Sequence, residues 1–417
     1  MPPIRFIHAA DLHLDAAFSG LSRDIPADFA ERLRTATFTA FRRLLDLCER
    51  ESPDFLLLAG DVYNQEDASV SAQLALRDGF RRLESLSIPV FLVHGNHDPL
   101  ASRLRSVRWP GNVTVFGELP DAVPVFRKGE GTPLAIIHGA SHASGRETRT
   151  EAYGLHVGLL HATPGDADGV ARYAPFSQED LKASGMDYWA LGHIHDRREV
   201  CREPLAAYPG CTQGLHINEP GEKGCLLVTA EARPDGGYAV RTSFRPLGPA
   251  VWKTLDMDLG GAASLDELEN RLRTGLDRAA AEVWSGCEML LVRLRLQGRT
   301  ELDGLLRKGT TCAELADRLR EDGSGVPRIW IKDIDVATRP CVERGALLER
   351  EDLLGEVFRL SEAARTASGL QALREGPLAP LFAHARAGKA LEPLTDEELA
   401  RLLDDAESLC LDLLEND

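Results

Sequence analysis

A chain of 417 residues is too long for one ordinary core and calls for two or three domains. Its net charge of −17 speaks against broad electrostatic affinity for nucleic acid, although the excess is uneven: residues 1–250 carry 26 basic and 32 acidic side chains, residues 251–417 carry 22 and 33. Eight cysteines without a CxxC pair argue against a zinc knuckle or a secreted disulfide framework, no run of about 18 apolar residues is available to span a bilayer, and the opening MPPIRFIHAADLHLD enters a strand directly, so a soluble, cytoplasmic protein with no membrane partner is expected.

In chain order, short apolar runs at 4–10, 54–59, 89–94, 133–138, 156–161 and 187–192, each closed by Gly, Asp or His, predict buried strands. Apolar residues at three- and four-residue spacing predict helices over 28–50 and 69–86, so the N-terminal third alternates β and α. From about 197 to 247 the strands shorten, as in KGCLLVTA and YAVRTSFRPL, which predicts a second sheet packed on the first. PLGPAVW at 246–252 closes that domain. Residues 252–337 read strand, helix, strand, helix, strand, a small α+β cap, and the Leu-, Ala-, Glu- and Arg-rich remainder reads as helices. There Thr395, with Glu398 three residues on, has the pattern of a capping box. The expected domains are therefore 1–248, 249–340 and 341–417.

The chemistry lies in an ordered set: Asp11-Leu-His13, Gly60-Asp61, Gly95-Asn96-His97-Asp98, His161 and Gly192-His193-Ile-His195, each just after an apolar run. In an open α/β sheet those positions share one edge, at the carboxyl ends of the strands. A phosphodiester repels nucleophiles and has a poor leaving group, and two divalent cations answer both problems. Mixed carboxylate, imidazole and amide donors without cysteine suit hard or borderline ions such as manganese. Asp11, His13 and His195 are assigned to one ion, Asn96, His161 and His193 to the other, and Asp61 to a bridge between them. His97 is the candidate general acid for the departing sugar oxygen, and Asp98 a candidate for orienting an imidazole. Arg103, Arg105 and Arg108 could meet a phosphate backbone or form a solvated loop face. His8, His94, His138 and His156 read as packing or hydrogen-bonding residues, His142 and His216 as cleft-lining. Tyr63 and Phe18 could stack a base but read first as core.

These residues, in this order, resemble the calcineurin-like metallophosphoesterases, and FIHAADLHLD at 6–15, AGDVYNQEDASVSAQ at 59–73 and YPGCTQGLHINEPGEKGCLLV at 208–228 resemble their DNA repair exonuclease branch, the SbcD and YhaO type. The resemblance implies a four-layer α/β sandwich of two packed mixed sheets flanked by helices, with an α+β capping domain and a helical tail. It implies a manganese-dependent nuclease acting on DNA ends and single strands, with metal roles on the seven residues above and the acid role on His97. It further implies a homodimer joined to an SMC-like coiled-coil ATPase through 341–417. Asn64 stands where several relatives carry a His three residues after the bridging Asp, which puts an accessory phosphate contact in question. Two rival readings fit the same residues: a phosphodiesterase for a small nucleotide or lipid-linked diester, and a noncatalytic scaffold, whose signature would be degenerate ligands.

Overall fold

The structure is a computed structural model describing residues 2–21, 25–63, 69–96, 108–141, 154–163, 176–234, 236–321, 325–341, 344–383 and 394–414. In chain order the first part comprises β1 (Ile4–Ala9), α1 (Ala27–Arg34), α2 (Ala36–Glu51), β2 (Phe55–Ala59), α3 (Val70–Ser85), β3 (Val90–Val93), β4 (Val113–Val115), β5 (Asp121–Val125), β6 (Ala135–Gly139), β7 (Leu155–His161), α4 (Gln178–Ala183), β8 (Tyr188–Gly192), β9 (Arg198–Arg202), β10 (Leu205–Tyr208), β11 (Gly224–Ala232) and β12 (Tyr238–Pro246). They build two six-stranded mixed sheets, ordered β12-β11-β1-β2-β3-β4 and β5-β6-β7-β8-β10-β9. This is a mixed α/β architecture with helices against the sheets.

Alternation along each strand explains the layering. Phe6, Phe55, Leu57 and Ala59 enter the layer between the sheets, where they meet Ile137, Val157, Leu159 and Tyr188 of the second sheet. Their neighbours Ile7, Leu56 and Leu58 turn the other way, onto Leu44 of α2 and Phe80 of α3. Leu160, Trp189 and Leu191 cover the far face of the second sheet together with Leu181 of α4. Strands buried on both faces have to be apolar throughout, hence the unbroken runs in the sequence.

Two expectations need correction. The helix expected over 28–50 is broken at Thr35, whose hydroxyl donates to Glu31 O at 3.1 Å; a β-branched residue competing for a helix carbonyl marks the joint between α1 and α2. The strands at 224–246 do not lie in the second sheet. β11 pairs antiparallel with β1, Ile4 opposite Ala230 and His8 opposite Leu226, and β12 pairs with β11, so this hairpin covers what would be the open edge of the first sheet.

Beyond β12 come β13 (Ala250–Asp258), α5 (Leu265–Glu282), β14 (Met289–Gln297), β15 (Arg299–Thr300), α6 (Asp303–Leu306), α7 (Thr311–Glu321), β16 (Arg328–Val336) and β17 (Arg339–Pro340). β13, β14 and β16 form a parallel three-stranded sheet in that order. Its Trp252, Met289, Leu291 and Trp330 pack with Phe29 and Leu33 of α1 and with Ile217. Arg43 on α2 holds Glu288 at 2.7 Å.

The chain divides into two compact units, one of Met1–Asp258, Leu265–Gln297 and Leu305–Ala337, the other of Leu259–Ser264, Gly298–Gly304 and Thr338–Asp417. In the second unit β15 pairs with β17, and α8 (Arg344–Leu348), α9 (Leu353–Ala364), α10 (Ala367–Glu375), α11 (Ala379–Ala383) and α12 (Asp396–Leu414) make the C-terminal region helical. Leu347, Leu354, Phe358 and Leu411 form its small core. Thr395 and Glu398 start α12 with reciprocal bonds: Glu398 N donates to Thr395 Oγ1 at 3.2 Å, Thr395 N to Glu398 Oε2 at 2.7 Å.

Candidate metal centre

Asp11 and His13 follow β1, Asp61 follows β2, Asn96 follows β3, His161 ends β7, and His193 and His195 follow β8. The first sheet thus supplies four of these residues and the second three, all at carboxyl ends of parallel strands. Backbone bonds zip the two leading loops together: Asp11 N donates to Gly60 O at 3.1 Å, His13 N to Asp61 O at 3.0 Å and Leu14 N to Val62 O at 3.0 Å.

The loops turn through left-handed backbone. Asp11 (φ 50°), His13 (φ 43°), Asp61 (φ 47°) and His193 (φ 102°) are four of the seven non-glycine residues with positive φ among the described residues. Such conformations cost about 1–3 kcal/mol each and persist where surrounding structure holds them for a purpose. Gly60 has φ 83° and a side chain there would enter the His161 ring; one at Gly95 would enter the Asp61 carboxylate.

Two clusters result. In one, His13 Nε2 and His195 Nε2 lie 3.1 Å apart, with His195 Nε2 3.9 Å from Asp11 Oδ1. In the other, Asn96 Oδ1 lies 3.0 Å from both His161 Nε2 and His193 Nδ1. A single oxygen connects them: Asp61 Oδ2 is 3.4 Å from His161 Nε2 and 4.0 Å from His13 Nε2. His161 Nδ1 bonds Ala59 O at 2.9 Å, which turns Nε2 inward.

Asp11, His13, Asp61 and His161 are buried, none more than 4% exposed. Burial pushes the Asp11 carboxyl up to about 6, against the pull of His161 and His195. Burial alone would depress His161, but the Asp61 hydrogen bond and the charges of Asp61 and Asp11 outweigh it and raise it to about 9. Both shifts express one demand: two buried carboxylates among imidazoles call for positive charge. Oxygen and imidazole donors, converging without a thiolate in either cluster, fit a pair of hard or borderline divalent cations.

His97, Asp98, Arg103, Arg105, Asn64 and His142 lie outside the described residues. Arg108 is exposed. His8 bonds Tyr188 Oη at 2.9 Å and Leu191 O at 3.2 Å, and His138 Nε2 meets His156 Nδ1 at 3.0 Å, so these rings serve the fold. Tyr63 is 2% exposed within the first-sheet core, and Phe18, partly buried, packs beside Trp252. Sequence reasoning missed Glu219 and Lys223, which contact His195 from the loop before β11. Their signal was the EPGEK stretch, which reads as a turn.

The calcineurin-like phosphoesterase family matches residues 4–197, and the middle domain of metallophosphoesterase YhaO matches residues 252–339. Metallophosphoesterase YhaO of Bacillus subtilis (strain 168) is 34% identical over 388 residues, covering 90% of this chain and 91% of the relative. The DNA double-strand break repair protein Mre11 of Aeropyrum pernix is 27% identical over 309 residues, covering 68% and 69%. That of Haloferax volcanii is 25% identical over 382 residues, covering 86% and 78%.

Proposed function

The chain belongs to the calcineurin-like metallophosphoesterases, and from that premise we propose that it is a two-metal nuclease that hydrolyses phosphodiester bonds at DNA ends and within single strands during DNA repair. The observation that carries this reading is the convergence of side chains from two sheets into two clusters, with one Asp61 oxygen between His161 of one and His13 of the other. The naming of distant relatives as DNA double-strand break repair proteins supports DNA as the substrate.

When bound, two divalent cations, for which manganese suits these donors, would supply charge neutralisation at the phosphate and a lowered pKa for the attacking water. Asp11, His13 and His195 would hold one, Asn96, His161 and His193 the other, and Asp61 both. Ala59 O and Glu219 fix the far nitrogens of His161 and His195, so these rings need no reorganisation when substrate arrives. The proton for the departing sugar oxygen is assigned to His97, and Asp98 is assigned to orienting an imidazole. The partner reading is a homodimer bound to an SMC-like coiled-coil ATPase through 341–417; the exposed Leu402, Leu409 and Leu413 on α12 support it, and the partner would add basic surface that a chain of net charge −17 lacks.

The test is cleavage of end-labelled duplex and single-stranded DNA with manganese, comparing the native protein with Asp61→Ala and His97→Ala. Loss with Asp61→Ala and a drop of about 10²–10⁴ with His97→Ala are expected; cleavage indifferent to both substitutions refutes the reading. The strongly acidic composition favours one alternative, a small-molecule phosphodiesterase, which faster turnover of small diesters than of DNA would establish.

A further inference from the structure

The segment between β10 and β11 holds none of the seven donors, yet two of its side chains close on one of them. Glu219 Oε1 accepts His195 Nδ1–H at 2.6 Å, while its other oxygen accepts the Leu215 backbone N–H at 2.7 Å. Four residues on, the Lys223 side chain, 5% exposed, donates from Nζ to the His195 carbonyl at 3.0 Å and to Asp196 Oδ1 at 3.0 Å. An ionised carboxylate only accepts, so the His195 bond to Glu219 places a proton on Nδ1, and in the neutral ring that leaves the lone pair on Nε2. Nε2 is the atom that faces His13 and Asp11.

We propose that Glu219 and Lys223 are positioning residues for His195: Glu219 fixes its tautomer and ring angle, Lys223 anchors its backbone, and the segment between β10 and β11 thereby sets the affinity of one of the two cation sites. The inference rests on the metal-dependent reading of the centre. A rival use of the same atoms exists, because His195, Cys211 and Glu219 present ligand atoms within 4.8 Å of one another and could hold a third ion. Both Glu219 oxygens are already engaged, one by the His195 ring and one by Leu215 N–H, which favours positioning over ligation.

The experiment uses the full chain. Manganese stoichiometry and affinity are measured by titration calorimetry for the native protein, Glu219→Ala, Glu219→Gln, Lys223→Met, Cys211→Ser and His195→Ala. Thermal melting monitors folding, and nitrogen-15 NMR of the metal-free protein reports histidine tautomers. Two ions should bind natively; Glu219→Ala should weaken one of them about 10- to 100-fold and move His195 toward the Nε2–H tautomer. Glu219→Gln should recover much of the affinity, since its amide oxygen can still accept from Nδ1. Lys223→Met should weaken that same ion without altering the tautomer. Native affinity for both ions in Glu219→Ala, with one ion lost in His195→Ala, overturns the positioning role and leaves the centre intact. Equal weakening of both ions together with a collapse in melting temperature, in Glu219→Ala and Glu219→Gln alike, assigns Glu219 to the fold and also overturns it. A third ion lost in Cys211→Ser replaces it with ligation. Two ions bound natively by His195→Ala would remove the metal reading of the centre and this inference with it.

Discussion

Asp11 accepts the backbone N–H of His193 on both carboxylate oxygens, at 3.2 and 3.1 Å, so the loop after the first strand of one sheet holds the loop after β8 in the other. The residue has two duties that substitution separates. Asp11→Ala should lose a cation and also cost about 1.5–3 kcal/mol of stability, as expected for a hydrogen bond to a buried charged group. Asp11→Asn keeps an acceptor oxygen and should lose the cation while retaining most of the stability. Urea denaturation in chelator, set beside manganese titration, reads the two effects independently.

Gly95 leaves no room for a methyl group, which would meet the Asp61 carboxylate and its backbone nitrogen. Gly95→Ala should displace the shared oxygen, lower manganese affinity at least about tenfold, and cost roughly 1–3 kcal/mol from overpacking. Gly117, with no atom within 4 Å of where a methyl would stand, is the matched control, and Gly117→Ala should leave manganese affinity unchanged.

Chelation should abolish phosphodiester hydrolysis, and added manganese should restore it. If the ions bind the folded chain, manganese at about a hundredfold over a site's dissociation constant should add about 2.7 kcal/mol to unfolding stability for each site it fills. In Asp61→Ala that increment should vanish. Denaturation with and without manganese measures it.

His8 is fully buried and its pKa falls from 6.5 to about 3, chiefly because burial disfavours the charged ring, against a raising contribution from the Leu191 carbonyl. Above pH 6.5 both folded and unfolded chains carry it neutral and nothing is lost. Between 6.5 and about 3 the unfolded chain takes up a proton that the folded chain refuses, so stability declines as pH falls through that window. His8→Gln, which can still bond Tyr188 and Leu191, should flatten the decline by a few kcal/mol on the order of the shift. Denaturation midpoints at pH 7 and pH 4 test this; equal acid sensitivity in both proteins would contradict it.

The convergence of these residues was legible because each stands where a conspicuous local pattern ends: Asp11 after IRFIHAA, Asp61 after FLLLAG, His161 at the close of HVGLLH. The cap at Thr395 was legible because both halves of its bond lie within four residues. What escaped depends on partners distant in the chain. Nothing in GCLLVTAEA says that it pairs with Ile4–His8 in the first sheet, since strand pairing is a property of two segments. Glu219 escaped for a related reason: in INEPGEKG a carboxylate is ordinary turn chemistry, and only the fold reveals an imidazole 24 residues back in sequence against it.

Because Asp11, His13, Asp61 and Asn96 ride on one sheet and His161, His193 and His195 on the other, the sandwich works as a calliper whose gap is fixed by its filling. Phe6 stacks on Phe55 with ring centroids 4.7 Å apart and meets Tyr188 edge-on at 5.4 Å, so these three rings are spacers that hold the jaws at their setting. Thinning that filling, for instance by Phe55→Leu, touches none of the seven residues, yet it would be read at the jaws as a change in how closely the two clusters meet at Asp61. Hydrocarbon packing deep in this protein is, in that sense, part of the geometry of its candidate metal centre.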